Sequence, residues 1–143
     1  MVNVRLASAV FAAGVALTAL SVGPAWAGGE GGTIENPADI SAAVGSGVLG
    51  GVIVGFTATG ATNAEAMAHV VAACKAAGAD QCTADEETND RLCIVNVDHA
   101  ETGVVAGGAG VTVEEARQDA FNRAAANNTP LDPSDPTLAV SCP

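Results

Sequence analysis

The sequence predicts an α+β domain built from two β-β-α units, each followed by a short strand, with one mainly antiparallel sheet, two helices packed on it and disulfides stapling the whole. Three observations carry this. A Thr-x-x-Glu signature opens an Ala-rich segment twice, at Thr62-Asn63-Ala64-Glu65-Ala66 and at Thr112-Val113-Glu114-Glu115-Ala116. A similar strand stands ahead of each, Gly51-Val52-Ile53-Val54-Gly55 and Gly103-Val104-Val105-Ala106-Gly107. Four cysteines, Cys74, Cys82, Cys93 and Cys142, are spaced among these segments.

At the N-terminus, Arg5 precedes an apolar run from Leu6 to Val22, which Pro24 breaks. Ala25-Trp26-Ala27 then supplies the small-x-small pattern of a leader-peptidase site. Residues 1–27 therefore read as a signal peptide cleaved near Ala27. Residues 28–39, opening with Gly-Gly-Glu-Gly-Gly, read as a flexible leader, and residues 40–143 as a single duplicated domain. The expected location is extracellular or in the cell envelope. No cysteine follows the apolar run closely, so a lipoprotein anchor is excluded.

Within the domain, Ile40 to Val44 is the expected first strand, with a turn at Gly45-Ser46-Gly47 leading to Gly51–Gly55. Thr62 caps a helix from about Asn63 to Ala77, with Ala66, Val70, Cys74 and Ala77 on one stripe. Ala79-Asp80-Gln81-Cys82 follows as a short strand. The second unit repeats the order: Leu92 to Asp98 as strand, His99 to Thr102 as turn, Gly103 onward as strand, and a helix from about Val113 to Ala126. Asn127 to Pro136 holds three prolines and is a loop. Leu138 to Cys142 closes the domain as the counterpart of the Cys82 segment.

A rival reading of residues 40–61 exists. The stretch has no charge, and Gly47, Gly51 and Gly55 form a glycine zipper of the kind that packs membrane helices. Its glycines and threonines make it weakly apolar, and its second half matches the Gly103–Gly107 strand. No integral membrane segment is therefore expected in the mature chain.

The mature chain keeps only Phe56 and Phe121 among the aromatics, so its core rests on Ala, Val, Ile and Leu. Such a core gains little per residue, and covalent staples become valuable. Four cysteines in an exported chain, without a C-x-x-C pair, point to two disulfides rather than to a metal site. Three connectivities are open. Cys74 with Cys82 and Cys93 with Cys142 is favoured, since the first links a helix end to the adjacent strand and the second pins the C-terminal strand.

Charge and motifs narrow the chemistry. The formal net charge is −11, and losing Arg5 with the signal makes it −12. Nucleic acid and anionic lipid are disfavoured partners. No G-x-S-x-G, G-x-G-x-x-G or phosphate loop occurs, so neither a catalytic residue nor a cofactor is assigned. His69 and His99 fall on different elements. The run Asp85, Glu86, Glu87 and Asp90 between Cys82 and Cys93 gathers oxygen ligands but lacks the spacing of a calcium loop, and reads as a solvated hairpin tip.

Several segments together resemble a known family. They are Thr62–Ala66 leading to Cys74, the Cys82 strand, Cys93-Ile94-Val95-Asn96-Val97, and Gly107-Gly108-Ala109-Gly110-Val111-Thr112 through Glu115-Ala116 and Phe121-Asn122-Arg123 to Cys142. From Ser41 to Cys142 the layout is similar to the secreted family catalogued as domain of unknown function 4189, notably its small mycobacterial members. Family members usually have an aromatic-rich opening hairpin and a Cys-Gly-Ala-type third cysteine, where this chain has Gly and Val and then Cys93-Ile94-Val95. The resemblance implies fold and export, and brings no catalytic residues with it.

The sequence thus leads to an exported, non-enzymatic binding or interaction domain whose partner is a protein or an envelope component. Two alternatives stand beside it: a small metal-assisted enzyme using the acidic segment 85–90, and a structural envelope protein with a glycine-zipper segment at residues 40–61.

Overall fold

The uncharged stretch that opens the domain folds back on itself at Gly50 and Gly51. Both take left-handed φ, +60° and +84°, the conformation a two-residue hairpin turn demands and glycine accepts without strain. Two nine-residue strands result, β1 (Ser41–Leu49) and β2 (Val52–Gly60). The glycine-zipper span is therefore a β-hairpin. Among the described residues no helix is long and apolar enough to cross a membrane. The turn also lies later than Gly45-Ser46-Gly47, because those residues are extended inside β1. A Cβ on Gly45 would come within 2.2 Å of the Thr83 carbonyl oxygen, and one on Gly47 within 2.3 Å of the Cys74 sulfur.

The computed structural model describes residues 39–143. The expected signal peptide, residues 1–27, and all but the last residue of the expected leader lie outside them. After the hairpin come α1 (Asn63–Ala76), β3 (Asp80–Thr88), β4 (Cys93–His99), β5 (Val104–Gly110), α2 (Val113–Ala126) and β6 (Thr137–Ser141). The fold is α+β with duplicated β-β-α units. Its strands form two antiparallel three-stranded sheets rather than one, in the orders β2-β1-β3 and β5-β4-β6.

Alternation along the central strands explains the second sheet. On β1, Ala43 packs under α1 with Ala66 and Val70, while Val44 faces the other way. On β4, Val95 and Val97 pack under α2 with Ala116 and Ala120, while Ile94 faces away. Val44, Ile94 and Ala139 then meet between the sheets. Central strands buried on both faces require a cover on each, so the domain stacks as helix, sheet, sheet, helix with three thin cores. One sheet would have left Val44 and Ile94 in water.

The helix ends are duplicated in detail. Thr62 and Thr112 are extended N-caps whose hydroxyls accept from the N–H groups of Glu65 and Glu115, at 3.1 and 3.2 Å. Each glutamate reaches back one residue beyond the cap, to the N–H of Ala61 or Val111, at 2.9 Å. At the other ends Gly78 and Asn128 take left-handed φ, and the N–H groups of Ala79 and Thr129 close onto the carbonyls of Cys74 and Ala124. These six-to-one bonds satisfy carbonyls that the last turn would leave open.

Disulfides join Cys74 to Cys82 and Cys93 to Cys142. The first ties α1 to β3, and the second ties β4 to the residue after β6. Cys82 and Cys142 are not repeat-mates, however. Val44 pairs with Glu86 and Asn96 pairs with Ala139, so Cys142 matches Asn89, three residues beyond Glu86.

Candidate functional site

The acidic segment is strand, not hairpin tip. β3 runs from Asp80 to Thr88 along the edge of the first sheet. Its pairing with β1 slips between Val44, opposite Glu86, and Gly45, opposite Ala84. Asp85 is the extra residue of a bulge, and a bulge re-aims side chains. Both Asp85 and Glu86 consequently engage the second sheet and its helix. Gly107 makes room for them, since a Cβ there would stand 2.2 Å from the Asp85 carbonyl oxygen and 2.8 Å from the Glu86 Cβ.

Each of the two carboxylates has a defined task. Asp85 Oδ1 accepts from the Thr83 hydroxyl at 2.7 Å and Oδ2 from Asn96 Nδ2 at 2.8 Å. Asn96, fully buried on β4, also donates to the Gly45 carbonyl at 2.9 Å and accepts from the Ala139 N–H at 2.8 Å. One side chain thereby links β1, β3 and β6 across the sheet interface. Glu86 Oε2 accepts from Arg123 Nη1 of α2 at 2.6 Å, and Arg123 Nη2 holds Asp119 at 2.7 Å. Asp119 in turn accepts from the Ala109 N–H of β5.

The Glu86 side chain is only 8% exposed. Burial pushes its carboxyl up from 4.5 to about 7, outweighing the Arg123 guanidinium, which lowers it; Glu87 and Asp119 add to the rise. Its other oxygen, Oε1, takes no hydrogen bond from the described residues.

A cavity of about 320 Å³ lies beside this pair, between β3, β5 and the end of α2. Ala84, Val104, Val105, Ala106, Gly107 and Ala124 make its apolar wall, Asp85, Glu86 and Arg123 its charged side, and Thr83, Asn127 and Thr129 complete it, with Thr83 and Asn127 exposed. That is a concavity of small-ligand size with an apolar wall and a charged side. A second hollow of about 220 Å³ adjoins it through Thr83, Asp85 and Val105.

The remaining candidates stand elsewhere. His69 meets the Thr59 carbonyl through Nδ1 at 2.7 Å, and His99 ends β4. Glu87 sits next to Glu86 on β3, and Asp90 follows the strand with its N–H on the Thr88 hydroxyl. Among the described residues no group of three or more His, Cys, Asp or Glu side chains has the arrangement of a metal site. The run 85–90 disperses because Asp85 and Glu86 are already held by Asn96 and Arg123.

Asp98 is a further buried acid. Its Oδ1 has no partner among the described residues, and burial, with Asp135 nearby, raises its carboxyl above the usual range.

Arg123 has no sequence motif around it. The signal for it is the repeat itself: fifty residues earlier α1 carries Ala73, and opposite Asn96 β6 carries Ala139 where β3 has Glu86. No protein-family model, curated protein or solved structure matches the chain.

Proposed function

We propose that the protein is an exported, non-enzymatic binding domain that holds its ligand in the cavity between β3, β5 and α2. The carrying observation is that cavity, apolar along its walls and ending at a buried carboxylate with an oxygen to spare. Binding is favoured over catalysis because the polar groups at the cavity are tied into the fold: Asp85 to Asn96, Glu86 and Asp119 to Arg123. Neither histidine adjoins it. Two disulfides are compatible with an oxidising location, and the leader-like residues 1–27 and the resemblance to a secreted family support export.

Two measurements test the reading. Native mass spectrometry of the oxidised protein, incubated with low-mass envelope and culture-filtrate extracts, is expected to show a bound species. Filling the cavity with Val105→Phe abolishes it. A bound species untouched by that substitution, or none at all, overturns the site. N-terminal sequencing of secreted protein is expected to begin at Gly28; an intact Met1 overturns the cleavage, and absence of the protein from envelope and culture filtrate overturns export.

A further inference from the structure

We infer that the cavity between β3, β5 and α2 takes a small primary ammonium ion with an apolar tail, its charged end at Glu86 Oε1 and its tail along Val104, Ala106 and Ala124. This rests on the binding reading above and names the class of ligand.

Charge decides the class. The Arg123 guanidinium at the end of the cavity is already held by two carboxylates, Glu86 and Asp119, and Asp85 adds a further acid to the lining. An anion entering here would meet surplus negative charge and no uncommitted cation. The other basic groups of the described residues, Lys75, Arg91 and Arg117, do not line the cavity; Arg91 pairs with Asp39, and Arg117 donates to Thr137 and to the carbonyls of Pro133 and Asp135. A neutral ligand would shield the Glu86 carboxylate from water and leave it to share the Arg123 guanidinium with Asp119 as its compensation, which costs free energy once it ionises. A cation supplies that compensation. The ammonium brings three donors to an oxygen that has none, and the walls Val104, Ala106 and Ala124 accept a hydrocarbon tail.

Binding and ionisation of Glu86 are then linked. The groups bearing on that carboxyl are Arg123 and Asp119 of α2 and Glu87 of its own strand. Only the ionised form welcomes the ammonium, so a carboxyl titrating at about 7 makes affinity rise with pH.

The test uses three probes that share a tail and differ in head charge: hexylammonium, hexanol and hexanoate, titrated into the oxidised protein by NMR. Hexylammonium is expected to bind most tightly and to shift the amides of Glu86, Val105 and Arg123. Its affinity is expected to rise about tenfold between pH 6 and pH 8, the range over which the competent fraction changes and the amine stays charged. Glu86→Gln removes both the preference and its pH dependence. Equal affinity for all three heads, or tighter hexanoate, overturns the inference. If Glu86→Gln fails to fold, the ranking and pH profile of the unaltered protein still decide. An extract ligand displaced by Val105→Phe, with no hexylammonium binding, sinks the cation and leaves the binding site standing; failure of both sinks the site as well.

Discussion

Where the second half of the molecule ties β4 to its C-terminal strand with the Cys93–Cys142 bridge, the first half ties β1 to β3 with a hydrogen bond, Asn89 Nδ2 to Ser41 Oγ at 3.0 Å. Ser41 and Cys93 are repeat-mates, paired with Gly60 and Gly110 at the ends of their hairpins. The same divergence recurs at the bulges, where β3 presents Asp85 and Glu86 and β6 presents Leu138 and Ala139. It recurs on the helices too, His69 and Ala73 against Asp119 and Arg123. Backbone geometry was kept by caps and glycines, while the inward side chains were free to become apolar in one copy and ionic in the other.

The largest effects should come from the covalent difference. In the chain-entropy account a bridge spanning 49 residues stabilises by about 4 kcal/mol and one spanning 8 by about 2.5 kcal/mol. Replacing Cys93 and Cys142 together by Ser is therefore expected to lower the denaturant midpoint more than replacing Cys74 and Cys82. Conversely, Ser41→Cys combined with Asn89→Cys should form a third bridge and raise Tm, with no free thiol on titration. Free thiols in that variant would show that the two corners are not interchangeable.

Asn96 comes next. Its repeat-mate is Val44, yet Asn96→Val would strand the Gly45 carbonyl, the Ala139 N–H and one oxygen of Asp85. A loss of about 3 kcal/mol in urea unfolding is expected, because buried groups left unpaired bear their full desolvation cost. A neutral outcome would mean that water replaces the side chain between the sheets.

The common geometry should respond alike in both halves. A Cβ at Gly60 would stand 2.5 Å from the Ala66 nitrogen, and one at Gly110 would stand 2.5 Å from the Ala116 nitrogen. Gly60→Ala and Gly110→Ala are each expected to cost about 2 kcal/mol, since backbone must move to admit the methyl. Unequal losses in thermal melts would show one helix docked more loosely than the other.

The shared features were the legible ones. Thr62 and Thr112 with their glutamates mark the helix starts because a capping box is a local exchange of hydrogen bonds, readable within five residues. Element order favours the observed cysteine pairing among three open connectivities. Two sheets instead of one were not legible, since Val44 and Ile94 advertise burial without saying against what. The position of the hairpin turn is not legible because Gly45, Gly47, Gly50 and Gly51 look alike in sequence, and only the approach of Thr83 and Cys74 separates close packing from turning. Glu86 and Arg123 lie 37 positions apart. Their meeting depends on the bulge at Asp85, which strand alternation does not anticipate.

The smallest expected effect isolates that ionic pair. Glu86 ionises near 4.5 when unfolded and at about 7 when folded, so the native state holds the proton more tightly. Its contribution is therefore fullest below pH 4.5 and is lost as pH rises toward and through 7. Between pH 6 and pH 8 the loss is about 1 kcal/mol by linkage. Asp98, also raised by burial, titrates in the same direction and blurs the raw curve. The informative quantity is the difference between the unaltered protein and Glu86→Gln, because glutamine cannot ionise and every other acid cancels. Relative to the unaltered protein, that variant should gain stability in urea unfolding as pH goes from 6 to 8. A flat difference would place the Glu86 carboxyl in ordinary solvent contact, and with it would go the buried ionic link between the two halves that their apolar repeat-mates, Ala139 and Ala73, do not make.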